Sequence, residues 1–284
     1  MDKDKKKVEA KENTRVVTHN NFIKGCGMEK ASLKATKLLY IAIAQCRKND
    51  GEFYEYSITV PEFAALMDVE PSNVYPMADA MTTELVQAYL RAADPNDTSK
   101  HPPFKKWPLF AECEYTGKEI VFQLNKKMTD FLLNLRGDFS KPLLDDFLHM
   151  NSVYSIRIWH LLQKYMKSQK PVMLIEGQEP EYYISLDELR EVTGTKNKMK
   201  QISEFKRYVL DKALREIEAC AGTKLVYRNK KSGKSIVGFI FRVVPLVTVP
   251  KEIAAQVDQK FEEKEQEEME GQITMDRFFS IRNE

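Results

Sequence analysis

The sequence predicts an α+β, mostly α, fold: tandem winged helix-turn-helix domains, each with a β-hairpin wing. Three observations predict it. A strand, a capped short helix and a long amphipathic helix occur in that order twice along the 284 residues. Each copy then closes on two strands around a Gly-Lys turn, at Gly117-Lys118 and Gly233-Lys234, and each is preceded by a further helix with an apolar stripe.

In the first copy the leading helix is "SLKATKLLYIAIAQCRK" (32–48), whose apolar residues recur near the 3.6-residue period. "YEYSITVPEFAALMDV" (54–69) alternates Tyr54, Tyr56 and Ile58 as a half-buried strand does, then starts a helix at Thr59-Val60-Pro61-Glu62. Thr59 and Glu62 have the spacing of a reciprocal cap for the free amides of a first turn, where proline sacrifices no hydrogen bond. The long helix is expected over 72–94 and the hairpin over "FAECEYTGKEIVFQL" (110–124).

"NLRGDFSKPLLDD" (134–146), punctuated by Gly137 and Pro142, is read as the boundary, with Ser140 capping a connecting helix that opens at Pro142-Leu143-Leu144. The second copy begins with "NSVYSIRIWHLLQKYMKSQ" (151–169), for which Asn151 is the expected cap. "EYYISLDELREVTGT" (181–195) repeats the strand and capped helix, with Ile184 in the place of Ile58 and Ser185-Leu186-Asp187-Glu188 as the box. The long helix follows over 200–222 and the hairpin over 224–244. The expected division is a charged, flexible segment 1–14, a first domain 15–137, a second domain 138–247 and an acidic tail 248–284.

The run "KKSGKSIVGF" (230–239) contains Gly233-Lys234-Ser235, the end of a phosphate-binding loop. That loop needs a second glycine where Arg228 stands, so that backbone amides can cradle phosphates. A wing turn, in which glycine supplies a positive φ, accounts for the same residues.

Composition narrows the class further. With 43% hydrophobic and 10% aromatic residues the chain can fill real cores, and no apolar run reaches the length of a membrane span. The N-terminal stretch is charged throughout, so a cytoplasmic protein is expected. Cys26, Cys46, Cys113 and Cys220 stand far apart without a C-x-x-C pair, which suits reduced, inert thiols and neither a disulfide framework nor a zinc site. No metal or other cofactor is expected. His149 and His160 lie in apolar helical contexts and are read as core or interface groups.

The formal net charge is only +2, but residues 150–245 hold 18 Lys/Arg against 10 Asp/Glu, while 246–284 hold 5 against 10. Such a segmental excess is the footprint of a polyanion-binding surface. In the second copy Lys196, Lys198 and Lys200 lie on the approach to the long helix, Lys206 and Arg207 in its first turns and Arg215 two turns on; Arg228, Lys230, Lys231 and Lys234 lie in the wing. A helical wheel puts Ile202, Phe205, Val209, Ala213 and Ile217 on one face and Lys200, Arg207 and Arg215 opposite. Arg207 is thus the first candidate for a bidentate contact to guanine in the major groove. Lys206 points toward the apolar side, to reach a phosphate or to run along the core edge. The competing reading is solubilising charge, interleaved with Glu204, Asp211 and Glu218.

The first copy differs. Between Ser72 and Leu90 it has no Lys or Arg, so its long helix cannot neutralise phosphates by itself. Lys105, Lys106 and Lys118 are candidates for secondary DNA contacts, and Tyr75, Met77 and Met81 suit either core packing or another protein surface, including a second copy of this chain.

"RVVTHNNFIKG" (15–25) with "SLKATKLLYIAIAQ" (32–45), then "FSKPLLDDFLHMNSVYSIRIWHLLQKY" (139–165), then "EFKRYVLDKALREI" (204–217) together resemble the theta-type plasmid replication initiators, the Rep family with two winged-helix domains. The resemblance covers about 15–245. It implies an origin-binding protein with no enzymatic activity and no ATP site of its own, whose second domain is the principal reader of directly repeated duplex DNA. It also implies opening of the duplex and recruitment of host replication proteins, including an initiator ATPase and helicase, with autorepression by a dimer formed through the first domain. "QITMDRFF" (272–279), with Gln272, Met275, Phe278 and Phe279, resembles peptides that dock in the cleft of sliding clamps. A nicking initiator of the rolling-circle kind would show a His-x-His pair, which His19, His101, His149 and His160 do not form. The alternative from a different class is a winged-helix transcriptional repressor without initiator activity.

Overall fold

A computed structural model of the chain describes residues 14–27, 31–46, 50–67, 69–93, 103–133, 139–166 and 180–244, with Ser99, His101, Leu135 and the short strands Lys5–Lys7, Leu174–Ile175 and Thr248–Val249. The tail peptide 272–279 lies outside the described residues. Within the segment expected to be flexible, β1 (Lys5–Lys7) pairs in parallel with Glu55–Ser57.

The first half begins with β2 (Thr18–His19), α1 (Asn20–Gly25) and α2 (Leu33–Ala44), the last capped by Ser32, whose Oγ accepts the Ala35 N–H at 3.2 Å. β3 (Glu55–Thr59) leads into α3 (Val60–Met67) through the expected box: the Thr59 N–H donates to Glu62 Oε2 at 2.9 Å and the Glu62 N–H to Thr59 Oγ1 at 3.3 Å. The long helix α4 (Val74–Gln87) buries Val74, Ala78, Met81 and Leu85, one side of a 3.6-residue repeat.

α4 stops at Gln87, short of the end at 94 that periodicity predicts. The chain turns instead into β4 (Tyr89–Ala93), which pairs antiparallel with β5 (Phe104–Pro108) to make a ribbon absent from the predicted plan. Tertiary pairing overrides helix propensity here: the Gly27 N–H donates to the Tyr89 carbonyl at 2.6 Å, and Leu90 is buried and bridges to Cys26. A Cβ on Gly27 would sit 2.4 Å from the Tyr89 ring, so glycine is what admits that ring. The wing follows as β6 (Phe110–Tyr115) and β7 (Glu119–Leu124), in a sheet of order β1, β3, β7, β6.

α5 (Thr129–Leu132), β8 (Phe139–Ser140) and α6 (Leu144–His149) connect the halves. Ser140 does not cap the connecting helix. It pairs with Thr18 across β2 and β8, Leu143 bridges to Arg15, and the Leu144 N–H donates to the Thr14 carbonyl at 2.8 Å, so extended pairing with the start of the chain delays the helix to Leu144. α7 (Val153–Met166) is capped by Ser152, whose Oγ accepts the Tyr154 N–H at 3.2 Å; the expected cap, Asn151, stands one residue too early and gives its N–H to Glu216.

In the second half, β9 (Leu174–Ile175) precedes β10 (Glu181–Ser185), and Ser185 caps α8 (Leu186–Thr193) by accepting the Glu188 N–H at 3.1 Å. The long helix, here α9, is a continuous run of Ile202–Phe205, a π-helical turn Lys206–Leu210, and Asp211–Ala221. β11 (Leu225–Ser232) and β12 (Ser235–Val243) form the wing, with sheet order β10, β12, β11, and β13 (Thr248–Val249) pairs with β9. Gly117 and Gly233 turn the two wings with φ of +88° and +59°, the left-handed region that favours glycine.

One apolar core runs through both halves, and α7 packs on both. His160 on α7 is wholly enclosed between Tyr40 OH on α2 (Nδ1, 2.7 Å) and Thr18 Oγ1 on β2 (Nε2, 2.8 Å). Burial lowers its pKa to about 3, so the ring sits there neutral. Beside it Asp146 accepts from Trp159 Nε1 at 2.9 Å, and burial raises its carboxyl to about 6. His149 is not a core group: its side chain is 66% exposed and faces Asp145. His149 ends α6, on the side away from the buried Leu144, Phe147 and Leu148, whereas His160 lies on the inward side of α7.

Candidate nucleic-acid interface

The second half places α8, a turn over 194–201, α9 and the wing in helix-turn-helix order. α9 is held by its inward side chains. Phe205, Val209, Leu210, Ala213 and Ile217 are fully buried, and the Phe205 ring stacks on Phe239 of β12 at 6.4 Å. Tyr227 OH of β11 donates to Asp211 at 2.7 Å, which fixes the middle of the helix against the wing strands. Burial and this bond push the Tyr227 phenol well above its ordinary range, so it remains a donor.

The outward side chains then follow. Lys196, Lys198 and Lys200 are exposed on the turn, and Arg207 and Arg215 are exposed on α9. Lys196 Nζ lies 3.2 Å from Glu191, a surface pair with little energy to hold it there. Lys206 is half-buried with its ammonium 5.5 Å over the Tyr227 ring, the path along the core edge that its wheel position predicts. The π-helical turn inserts one residue's worth of rotation. It lets Val209 and Leu210 both face the core while Arg207 and Tyr208 face out, the guanidinium 5.3 Å from the Tyr208 ring.

Strand register divides the wing cations. Leu225 and Tyr227 face α9 together with Phe239, Phe241 and Val243, so alternation puts Asn229 on that inner face. The register shifts between Lys230 and Lys231, and Lys231 then pairs with Ile236, itself packed against the core, which keeps Lys231 on the inner side. Arg228 and Lys230 fall on the outer face. There Arg228 Nη2 donates to Glu181 Oε2 at 2.7 Å, a bond that lowers the Glu181 carboxyl and raises the guanidinium. Lys234 is exposed beside the Gly233 tip. The ten cations grouped by sequence therefore form two sets: Lys196, Lys198, Lys200, Arg207, Arg215, Lys231 and Lys234 on turn, helix, inner wing face and tip, and Arg228 with Lys230 behind the sheet, while Lys206 lies between helix and wing.

In the first half, α4 exposes Tyr75 at 69% and Val86 at 48%. Lys118 is exposed at the wing turn, whereas Lys105 and Lys106 are exposed on the β4–β5 ribbon, an element that the sequence pattern did not separate from α4. Phe104 on that ribbon is 54% exposed, with Arg91 at 4.6 Å and Lys106 at 5.5 Å from its ring. Sequence reasoning also missed Tyr208, which a strict 3.6-residue wheel does not mark as exposed, and Arg190, whose guanidinium faces the backbone of the turn. Among the described residues no helix is long and apolar enough to cross a membrane.

Two family models match the chain. The one described as "Initiator Replication protein, WH1" covers residues 15–163, and "Initiator Rep protein, WH2" covers 185–243. The first runs from Arg15 through α6 and most of α7. Among solved structures, the Pi initiator protein in complex with iteron DNA superposes on 84% of this chain and 100% of its own, with a TM-score of 0.66 and 20% sequence identity, a likeness of fold. Domains 2 and 3 of RctB cover 76% of this chain and 83% of their own at a TM-score of 0.40 and 8% identity, too distant to carry an argument.

Proposed function

This chain belongs to the family of replication initiators with paired winged-helix domains, and from that membership we propose that it binds directly repeated duplex DNA at a plasmid origin and starts replication there. The observation that carries the reading is that the second half exposes Lys196, Lys198, Lys200, Arg207, Arg215, Lys231 and Lys234 over the turn, α9 and the wing with its tip. The Pi initiator, similar in fold, was crystallised with iteron DNA, which supports the same class of ligand.

In this reading α9 enters the major groove. Arg207 reads guanine by two parallel hydrogen bonds, Arg215 follows the groove, and Lys196, Lys198 and Lys200 neutralise phosphates at the helix start. Lys231 and Lys234 meet the backbone beyond the groove; Lys230 serves a neighbouring phosphate, and Arg228 joins only by exchanging Glu181 for one. Lys206, held over Tyr227, orients that surface and adds to its field. Lys105, Lys106 and Lys118 make secondary contacts. We take 15–137 and 138–247 as the working division, with the first half serving self-association and autorepression. Duplex opening and recruitment of host helicase and clamp belong to the same proposal. No covalent chemistry on DNA is part of it.

Footprinting on DNA flanking the protein's own gene tests it. Regular direct repeats beside an A·T-rich segment support an initiator, whereas a single palindrome without such a neighbour supports a repressor. Affinity that does not fall as salt rises from 50 to about 200 mM would refute use of the cationic surface altogether.

A further inference from the structure

We propose that Arg190 is a positioning residue for sequence reading: it locks the turn between α8 and α9 and thereby sets the pose from which Arg207 meets base edges. The inference rests on the reading of α9 as the DNA-facing helix.

Four carbonyl oxygens of the turn converge on one guanidinium. Arg190 Nη1 donates to the carbonyls of Thr195 and Lys198, each at 3.1 Å, and Nη2 to those of Met199 at 2.9 Å and Lys200 at 3.2 Å. The turn needs such a clamp. Its backbone bonds are few, among them Thr195 N–H to the Arg190 carbonyl at 2.8 Å and Lys198 N–H to the Thr195 carbonyl at 3.0 Å. Met199 sits at φ +50°, a conformation that a non-glycine residue keeps only when its surroundings over-determine it.

The same guanidinium lies 5.0 Å from the centre of the Phe205 ring, which is buried in the first turn of α9 and stacks on Phe239 of the wing. One side chain of α8 thus touches the turn, the start of α9 and, through Phe205, the wing sheet. The clamped stretch is also the one that displays Lys196, Lys198 and Lys200. A lysine at this position carries the same charge but offers three donors from one point, and cannot span four carbonyls with a planar fork.

The test uses the full chain with R190K and R190Q, and K198A for comparison. The probes are a duplex selected by the wild-type protein from a random-sequence pool and a scrambled duplex of equal length. In free R190K, amide hydrogen exchange over 195–200 should quicken about tenfold or more while the rest of α9 stays protected. The ratio of selected to scrambled affinity should fall about tenfold, with the salt slope unchanged. K198A should weaken both duplexes alike and leave the affinity ratio intact. Should R190Q lose cooperative melting, R190K decides. Wild-type exchange in R190K, or equal loss on both duplexes, overturns the inference alone; a wild-type protein without preference for any duplex overturns the DNA reading beneath it.

Discussion

The two long helices, α4 and α9, occupy the same place in the same scaffold and present opposite surfaces. Both bury an apolar stripe beneath a β-hairpin wing, Val74, Ala78, Met81 and Leu85 in one and Phe205, Val209, Ala213 and Ile217 in the other. Outward, α4 shows Tyr75, Asp79 and Val86 and no cation, whereas α9 shows Arg207, Tyr208, Lys212 and Arg215. Inward positions answer to packing, which either half satisfies with the same periodicity. Outward positions are free of that demand, so duplicated scaffolds diverge there first. The backbones diverge too: α4 gives way to a separate ribbon, while α9 is lengthened around a π-helical turn.

The comparison breaks most severely at the packing it takes for granted. Phe205→Ala removes the ring between Arg190 and Phe239, and should cost about 3–5 kcal/mol in urea unfolding and abolish duplex binding with it. A loss below about 1 kcal/mol would mean that α9 is not held by this contact.

Next in size is the seam that joins the halves. His160 has its pKa lowered to about 3 from 6.5, so below pH 6.5 the unfolded chain takes up the proton and folding weakens by about 1.4 kcal/mol per pH unit until about pH 3. Asp146 has its pKa raised to about 6 from 3.8, so between those values the folded state binds the proton more tightly and offsets the loss. Asp146→Asn should therefore steepen the acid destabilisation between pH 6 and about pH 4, and His160→Gln should flatten it. Parallel pH profiles for wild type and both variants would show that the seam does not titrate in this way.

Arg207→Ala against Tyr75→Ala sharpens the contrast of surfaces directly. The first should relax base preference by about 1–3 kcal/mol in competition binding; the second should leave duplex affinity within about 0.5 kcal/mol and lower self-association in sedimentation. Equal effects on duplex binding would erase the proposed division of labour. The smallest effect belongs to the wings. Lys231→Ala should reduce the slope of log K against log salt by about 0.9, and Lys118→Ala by less, since only the second wing faces the duplex squarely in the proposed pose.

Much of this architecture is legible in the order of residues alone. The spacing of Thr59 to Glu62 and of Ser185 to Glu188, and the glycines at 117 and 233, depend on local geometry, and each appears where local geometry puts it. The exposed cations of α9 were legible for the same reason, because a wheel with a filled apolar face leaves the opposite face to solvent. The alternation read at Tyr54, Tyr56 and Ile58 does not appear, since Ser57 between them is buried as well and Tyr54 lies before the strand. Ser140, Asn151 and the end of α4 depart from expectation because their conformations are set by partners far along the chain: Thr18 for Ser140, Glu216 for Asn151, Cys26 and Gly27 for Tyr89 and Leu90.

Periods, caps and turns are short-range properties, so the string of residues carried most of them: two winged helices, one of them cationic. Which cations share a face, why Arg228 is engaged with Glu181, and how one guanidinium binds four carbonyls required the folded chain. Strand register and helix packing bring those groups together through backbone pairing across long sequence separations, and no local pattern encodes a meeting of that kind.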